Sequence, residues 1–218
     1  IVAAMGLPVI EVEGVEADDV IGTLADHCTA DGLPLLVSTG DKDMAQLVSE
    51  QVTLLNTMSG TVLDVAGVHE KFGVAPEQIV DYLALVGDSS DNIPGVPGVG
   101  VKTAVALLQH FGDMDSLYAR LDEVPEVPVR GAKRLGEKLA AHREQAYLSQ
   151  RLATIQRDVA LDFGVGDVRR GEADTARLAE LYRRYEFSRW LDELHADAPP
   201  AAEAAGYECV QDMAALEA

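Results

Sequence analysis

Short β-branched runs alternate with helix-period segments through the first ninety residues, and near residue 100 that alternation stops. The alternation predicts an α/β layer, because each strand and each amphipathic helix must bury one apolar face against the next element. Strands are expected over 8–12, 34–39, 52–56 and 61–64. Between the first two, Val20, Ile21, Leu24, Ala25 and Cys28 fall on one face of a helix over about 17–30. Pro76 opens another helix in its permitted first turn, and this one runs to Gly87. Beyond residue 100 Ala, Leu, Arg and Glu dominate, so helices are expected near 101–111, 113–121, 131–150 and 174–194. The fold class is therefore α/β, an incomplete central sheet flanked by helices, followed by a helical subdomain. Domains are expected over 1–92 and 93–195, with a Pro- and Ala-rich linker and the opening of a further domain over 196–218.

Composition excludes several classes. The 218 residues carry a formal net charge of −20, which rules out a uniformly basic nucleic-acid coat, while 48% apolar residues is globular composition. Two cysteines far apart, Cys28 and Cys209, offer no disulfide framework and suit a reducing compartment, so a cytoplasmic location is expected. No apolar run reaches the roughly 18 residues that span a bilayer. The chain starts at Ile1 without a Met or a leader pattern, which reads as a fragment. Charge is unevenly spread: residues 11–43 hold nine acids against Lys42 alone, whereas 130–157 hold seven bases against two acids.

Three acidic clusters lie where predicted elements end: Glu16-Ala17-Asp18-Asp19 before the first helix, Gly40-Asp41-Lys42-Asp43 after a strand, and Gly87-Asp88-Ser89-Ser90-Asp91 after the Pro76 helix. Glu16 and Asp19, and likewise Asp88 and Asp91, are three apart and would share one side of a helical turn. Asp41 and Asp43, two apart on an extended segment, would point the same way. Each cluster alone also suits helix capping or an Asx turn. Together they are harder to assign that way. Two carboxylates at ~4 Å repel by about 4 kcal/mol at an effective dielectric of 20, so seven converging acids require cations. The candidate ligands are all oxygens and the five histidines show no zinc-like spacing, which selects Mg²⁺ or Mn²⁺. Two such ions would suit phosphodiester cleavage, one activating water and one stabilising the leaving oxygen.

The third cluster runs directly into Ile93-Pro94-Gly95-Val96-Pro97-Gly98-Val99-Gly100-Val101-Lys102-Thr103. This is a glycine-rich hairpin between two helices, whose backbone N–H groups at the second helix's start can hold a phosphate. A tight helix–helix turn would use the same residues. The basic run containing Arg130, Lys133 and Arg134 would extend a sequence-independent grip on duplex backbone, or form a solvated helix face.

In order and spacing, these motifs resemble the flap endonuclease family, in the form of the 5'-nuclease domain attached to bacterial DNA polymerases. The resemblance covers residues 1–195 and extends to Ser149-Gln150-Arg151-Leu152-Ala153-Thr154-Ile155. It implies a PIN-like 5'-nuclease core with a helix-hairpin-helix subdomain, hydrolysing phosphodiester bonds at 5' ends and flaps of DNA in replication and repair. It also implies that Glu16, Asp18, Asp19, Asp41, Asp43, Asp88 and Asp91 surround two Mg²⁺ ions. By the same resemblance, Gly95, Val96, Gly98, Val99, Gly100, Lys102 and Thr103 hold duplex DNA, with a K⁺ bound by backbone carbonyls. Residues 205–218 resemble the start of a proofreading domain, and the chain would be continuous with polymerase domains. Family members carry about a hundred further residues before the position of Ile1, including metal-binding Asp residues and a basic arch. The chain alone is accordingly expected to bind Mg²⁺ weakly and cleave poorly. The competing readings are a non-catalytic duplex-binding module and a phosphohydrolase of small phosphates.

Overall fold

The structure, a computed structural model, describes residues 1–196, so the expected linker and further domain at 197–218 lie outside the described residues. Two compact units are present: Glu11–Val165, and Ile1–Ile10 together with the chain from Gly166.

In the larger unit, helix α1 (Ala17–Ala30) leads into strand β1 (Leu35–Ser38), and a 3-10 turn over Asp43–Leu47 leads into β2 (Val52–Asn56) and β3 (Thr61–Leu63). The sheet order is β1-β2-β3, with β1 parallel and β3 antiparallel to β2. Val37, Val52 and Leu54 are buried on one face, while Leu36 and Val62 on the other are exposed. Helix α2 (Val65–Phe72) returns from β3, capped by Asp64, whose carboxylate accepts from Gly67 N–H at 2.8 Å. The Pro76–Gln78 turn then feeds α3 (Ile79–Val86). After the glycine hairpin come α4 (Val101–Phe111), α5 (Met114–Ala119), α6 (Ala132–Ala141) and α7 (Arg143–Ala153). One hydrophobic core runs through all of this, from Val37 and Leu54 through Leu83 and Leu85 to Leu107, Leu117 and Leu139.

Several expected elements differ. Residues 8–12 form no strand, because a period-2 pattern supplies a face but a ladder also needs a partner; Val9 is exposed. The single helix expected over 131–150 is two. The break falls at His142, whose backbone leaves the helical region and whose N–H is already bonded to Lys138 and Leu139 carbonyls. The segment 174–194 likewise divides into α8 (Thr175–Arg184) and α9 (Ser188–Ala196). Glu186 adopts φ 59°, and Phe187 N–H returns to Tyr182 carbonyl at 2.9 Å. Ring contacts among Tyr182, Phe187 and Trp190 hold that reversal in the smaller unit.

What positions the acid-bearing elements is the chain leaving α7. The buried Gln46 amide donates to the carbonyls of Asp43 at 3.0 Å and Ala153 at 2.9 Å, and its oxygen accepts from Ile155 N–H at 3.0 Å. Two residues on, Arg157 donates to Gln46 carbonyl and pairs with Asp26 of α1 at 3.2 Å, and Val159 N–H reaches Thr23 of α1. The Ile155 side chain fills the space a Cβ on Gly22 would occupy. Residues 153–159 thus strap α1 to the turn that follows β1. Gln46→Leu keeps side-chain volume but orphans two buried backbone groups, the Ala153 carbonyl and Ile155 N–H, each worth about 1–3 kcal/mol. Chemical denaturation should show a loss of roughly 3 kcal/mol, and a loss under 1 kcal/mol would contradict the strap.

Candidate functional site

Each acidic cluster owes its position to a different local device. Glu16 stands at the N-cap of α1 with extended backbone and makes no capping hydrogen bond, and Asp18 and Asp19 occupy the first helical turn. Asp19 accepts from Gln156 N–H at 2.9 Å, so it is turned toward the strap. After β1 the chain is not extended as the two-residue spacing suggested. Asp41 accepts from Asp43 N–H at 3.0 Å in an Asx turn, Lys42 has helical backbone, and Asp43 starts the 3-10 turn.

The third cluster is not a helical turn either. Asp88 and Ile93 exchange backbone hydrogen bonds at 2.9 and 2.7 Å, closing a loop that includes Asn92 at φ 57°. The loop's neck is a backbone-to-backbone clasp of Gly87 and Gly95, both at positive φ. A Cβ on Gly95 would lie 2.5 Å from Gly87 N, so no side chain fits there. Gly95 is held in turn by α7, its N–H donating to Ser149 and its carbonyl accepting from Gln145 at 2.6 Å.

These devices bring the clusters together. Glu16, Asp18, Asp19, Asp41, Asp43 and Asp91 line one cavity of about 300 Å³ with Ile93 and residues 152–155. One carboxylate oxygen each from Asp43, Asp88 and Asp91 lies within 4.8 Å of the others. Asp43 Oδ1 is buried and has no hydrogen-bond partner. Asp64, Asp113 and Asp174 cap helices by accepting from the residue three ahead, but Glu16 and Asp43 make no such bond. Capping therefore does not account for Glu16 or Asp43, while Asp41 and Asp88 do accept Asx-type bonds from Asp43 N–H and Ser90 N–H. An all-oxygen set with an unused buried lone pair fits a hard divalent cation.

The electrostatics report the same crowding. Burial, then the charges of Asp41, Asp88 and Asp91, push the Asp43 carboxyl up to about 6. Asp18 is raised by burial and then by Asp41, Glu16, Asp19 and Asp91. Asp88 goes the other way: the Lys42 ammonium, 2.5 Å from its Oδ2, holds it below the usual carboxylate range.

In the hairpin, Gly98 has φ 82°, and Gly100 precedes α4 with no side-chain cap, so Val101 and Lys102 stand at an open helix start while Thr103 N–H is bonded to the Gly100 carbonyl at 2.9 Å. Val96 and Val99 are buried and anchor the bend rather than face solvent. Arg130, Lys133 and Arg134 are exposed at the start of α6. One turn on, Lys138 Nζ stands 3.1 Å from where a Gly98 side chain would begin. Lys42, Gln46 and Lys138 had no role assigned from sequence: Lys42 stood only as the lone base among nine acids and Lys138 as one base among seven.

Residues 1–73 match the family model of the N-terminal resolvase-like domain of 5'-3' exonuclease, and residues 74–176 match that of its C-terminal SAM-fold domain. A DNA polymerase I of Pseudomonas aeruginosa is 58% identical over 203 residues, covering 93% of this chain and 22% of that protein. A 5'-3' exonuclease of Buchnera aphidicola subsp. Baizongia pistaciae is 39% identical over 190 residues, covering 87% of this chain and 63% of its own. The chain thus spans about a fifth of the polymerase relative. Among solved structures, the flap endonuclease of bacteriophage T5 in a pseudo-enzyme-product complex with DNA and metal ions superposes with TM-score 0.60. It is 19% identical and covers 87% of this chain and 63% of that one. The catalytic core of Rad2 with DNA substrate gives TM-score 0.58 at 15% identity, covering 92% of this chain and 67% of that one. At such identities the shared property is the fold.

Because Asp43 titrates near 6 when folded and near 3.9 when unfolded, its stabilising contribution is complete below about pH 4. That contribution is lost as pH rises through about 6. In chelator, Asp43→Asn should therefore melt above the parent at pH 7.5, with the gap closing at pH 4.5. Equal gaps at both pH values would contradict the assignment.

Proposed function

The chain belongs to the 5'-3' exonuclease family, and from that premise we propose that its seven acids hold divalent cations for hydrolysis of DNA phosphodiester bonds at 5' ends and flaps. The observation that carries this is the convergence of Glu16, Asp18, Asp19, Asp41, Asp43 and Asp91 in one cavity, with Asp88 grouped with Asp43 and Asp91, a clasp away from the hairpin. Two Mg²⁺ ions, or Mn²⁺, suit the donor set. Glu16, Asp18, Asp19, Asp41 and Asp43 would serve mainly one ion and Asp88 and Asp91 the other, with Asp43 shared because its carboxylate oxygen groups with theirs. Bound there, such ions supply Lewis-acid activation of water and stabilisation of the leaving oxygen.

The rest is work for this chain's own residues. The rigid clasp fixes Asp88 and Asp91 relative to the hairpin, so a duplex seated on Gly95–Thr103 presents its backbone at a set distance from the acids. Backbone N–H groups at the start of α4, with Lys102, would take one phosphate, and a K⁺ bound by hairpin carbonyls would take another. Arg130, Lys133, Arg134 and Lys138 would continue the contact along the same strand without reading bases. Along the cavity wall Ala153 and Ile155 are buried, while Leu152 and Thr154 are exposed. Nicked or flapped duplex is the substrate this layout suits, as in primer removal and repair, in a cytoplasmic setting and attached to polymerase domains. A binding module alone would not need an unpartnered carboxylate oxygen buried among other acids.

In a protein of the polymerase relatives' full length, Asp88→Asn should lower Mg²⁺-dependent flap cleavage by about 10²-fold or more while duplex affinity holds. Unchanged cleavage would overturn the metal reading. Lys138→Ala should weaken binding to unrelated duplexes about equally and reduce the slope of log K against log salt by about 1. An unchanged slope would remove Lys138 from the interface.

A further inference from the structure

Lys42 is the single base among the nine acids of residues 11–43. It is placed by the Asx turn of Asp41 and the 3-10 turn starting at Asp43, so its backbone position is fixed from both sides. Its ammonium lies 2.5 Å from Asp88 Oδ2, and the Asp88 side chain is only 2% exposed. The other oxygen of Asp88 accepts from Ser90 N–H at 2.8 Å. Asp88 therefore has a partner for both oxygens, although the one at Oδ2 is an ion pair rather than a directed hydrogen bond. Asp43, in the same group of three, has one buried oxygen with none.

This asymmetry is hard to reconcile with Asp88 ligating a divalent ion while Lys42 stays in place. A unit charge and a double charge about 4 Å apart repel strongly even at an effective dielectric of 20. Lys42 reaches Asp88 from the solvent side, its own side chain 42% exposed, so it can swing outward without repacking the core. The buried Asp88 cannot move so freely, because the Gly87–Gly95 clasp and the Asp88–Ile93 bridge fix its backbone.

We propose that Lys42 is a displaceable counter-cation: it neutralises Asp88 while the site is free of metal and must leave Asp88 for a divalent ion to bind across Asp43, Asp88 and Asp91. The role rests on reading that group as a divalent-cation site. Lys42 thus holds the acids together during folding and sets a threshold on metal affinity.

The test is calorimetric titration of the 218-residue chain with Mn²⁺, comparing the parent with Lys42→Gln, Lys42→Arg, Asp88→Asn and Lys71→Gln. Lys42→Gln keeps a hydrogen-bond donor but no charge, and should bind Mn²⁺ about tenfold more tightly, the water-screened remainder of the repulsion above. Lys42→Arg keeps the charge and should bind like the parent. In chelator, Lys42→Gln should melt below the parent, and saturating Mn²⁺ should close the gap. Lys71→Gln makes the same change in net charge on α2 and should alter neither quantity. Asp88-dependent binding of equal or lower strength in Lys42→Gln overturns the role of Lys42 alone, as does equal tightening in Lys71→Gln. Absence of Asp88-dependent Mn²⁺ binding in every chain overturns the metal reading as well. Should Lys42→Gln not fold even with Mn²⁺, weaker or unchanged Lys42→Met binding at folded occupancy overturns the role, and tighter binding supports it.

Discussion

Mutual repulsion of carboxylates is the constraint around which this structure is organised. Seven acids from three stretches of sequence share one small region, and nothing in the hydrophobic effect would put them there. Burial and then the neighbouring charges raise the carboxyls of Asp18 and Asp43, the direction that such crowding dictates. A fold that bears such a cost must have rigid supports for it. The supports are visible: the Gln46-centred strap, the glycine clasp and the shared core behind them. Two kinds of positive charge can offset the repulsion, one internal and one from solution. Lys42 is the internal one, and the unused oxygen of Asp43 leaves room for the other.

The same supports couple the acids to the hairpin. Helix α7 reaches both, through Gln145 and Ser149 to Gly95 and through its outgoing chain to Gln46, Asp19 and α1. The buried Asp81 adds a third tie, accepting from Gln150 of α7 and from Met114 at the start of α5. Burial raises the Asp81 carboxyl, and those two hydrogen bonds oppose the rise. A phosphate backbone lying on the hairpin would thereby be registered against the carboxylates by rigid structure rather than by a flexible linker.

The strands at 34–39, 52–56 and 61–64 and the helix at 17–30 were legible because burial on one face writes a period into the sequence. The seven acids and the hairpin were legible as motifs at element ends. What the sequence hid is tertiary. Nothing local distinguishes residues 8–12 from a strand, since only a neighbour can supply a ladder. His142 and Glu186 end helices without Gly or Pro, one through its backbone angles and the other through an aromatic contact formed across the turn. The Asp88–Asp91 loop takes its shape from the Gly87–Gly95 approach, eight residues apart. Lys42 and Gln46 matter only because of partners 46 and 107 residues away.

The claim on which this account stands is that carboxylates of three separate elements act as one cation site. Anomalous diffraction from crystals grown with Mn²⁺ tests it most directly. The account predicts a peak within about 2.5 Å of oxygens from Asp43, Asp88 and Asp91, with the Lys42 ammonium drawn away from Asp88. Ordered crystals at saturating Mn²⁺ with no peak in that cavity, and Lys42 still paired with Asp88, would contradict it.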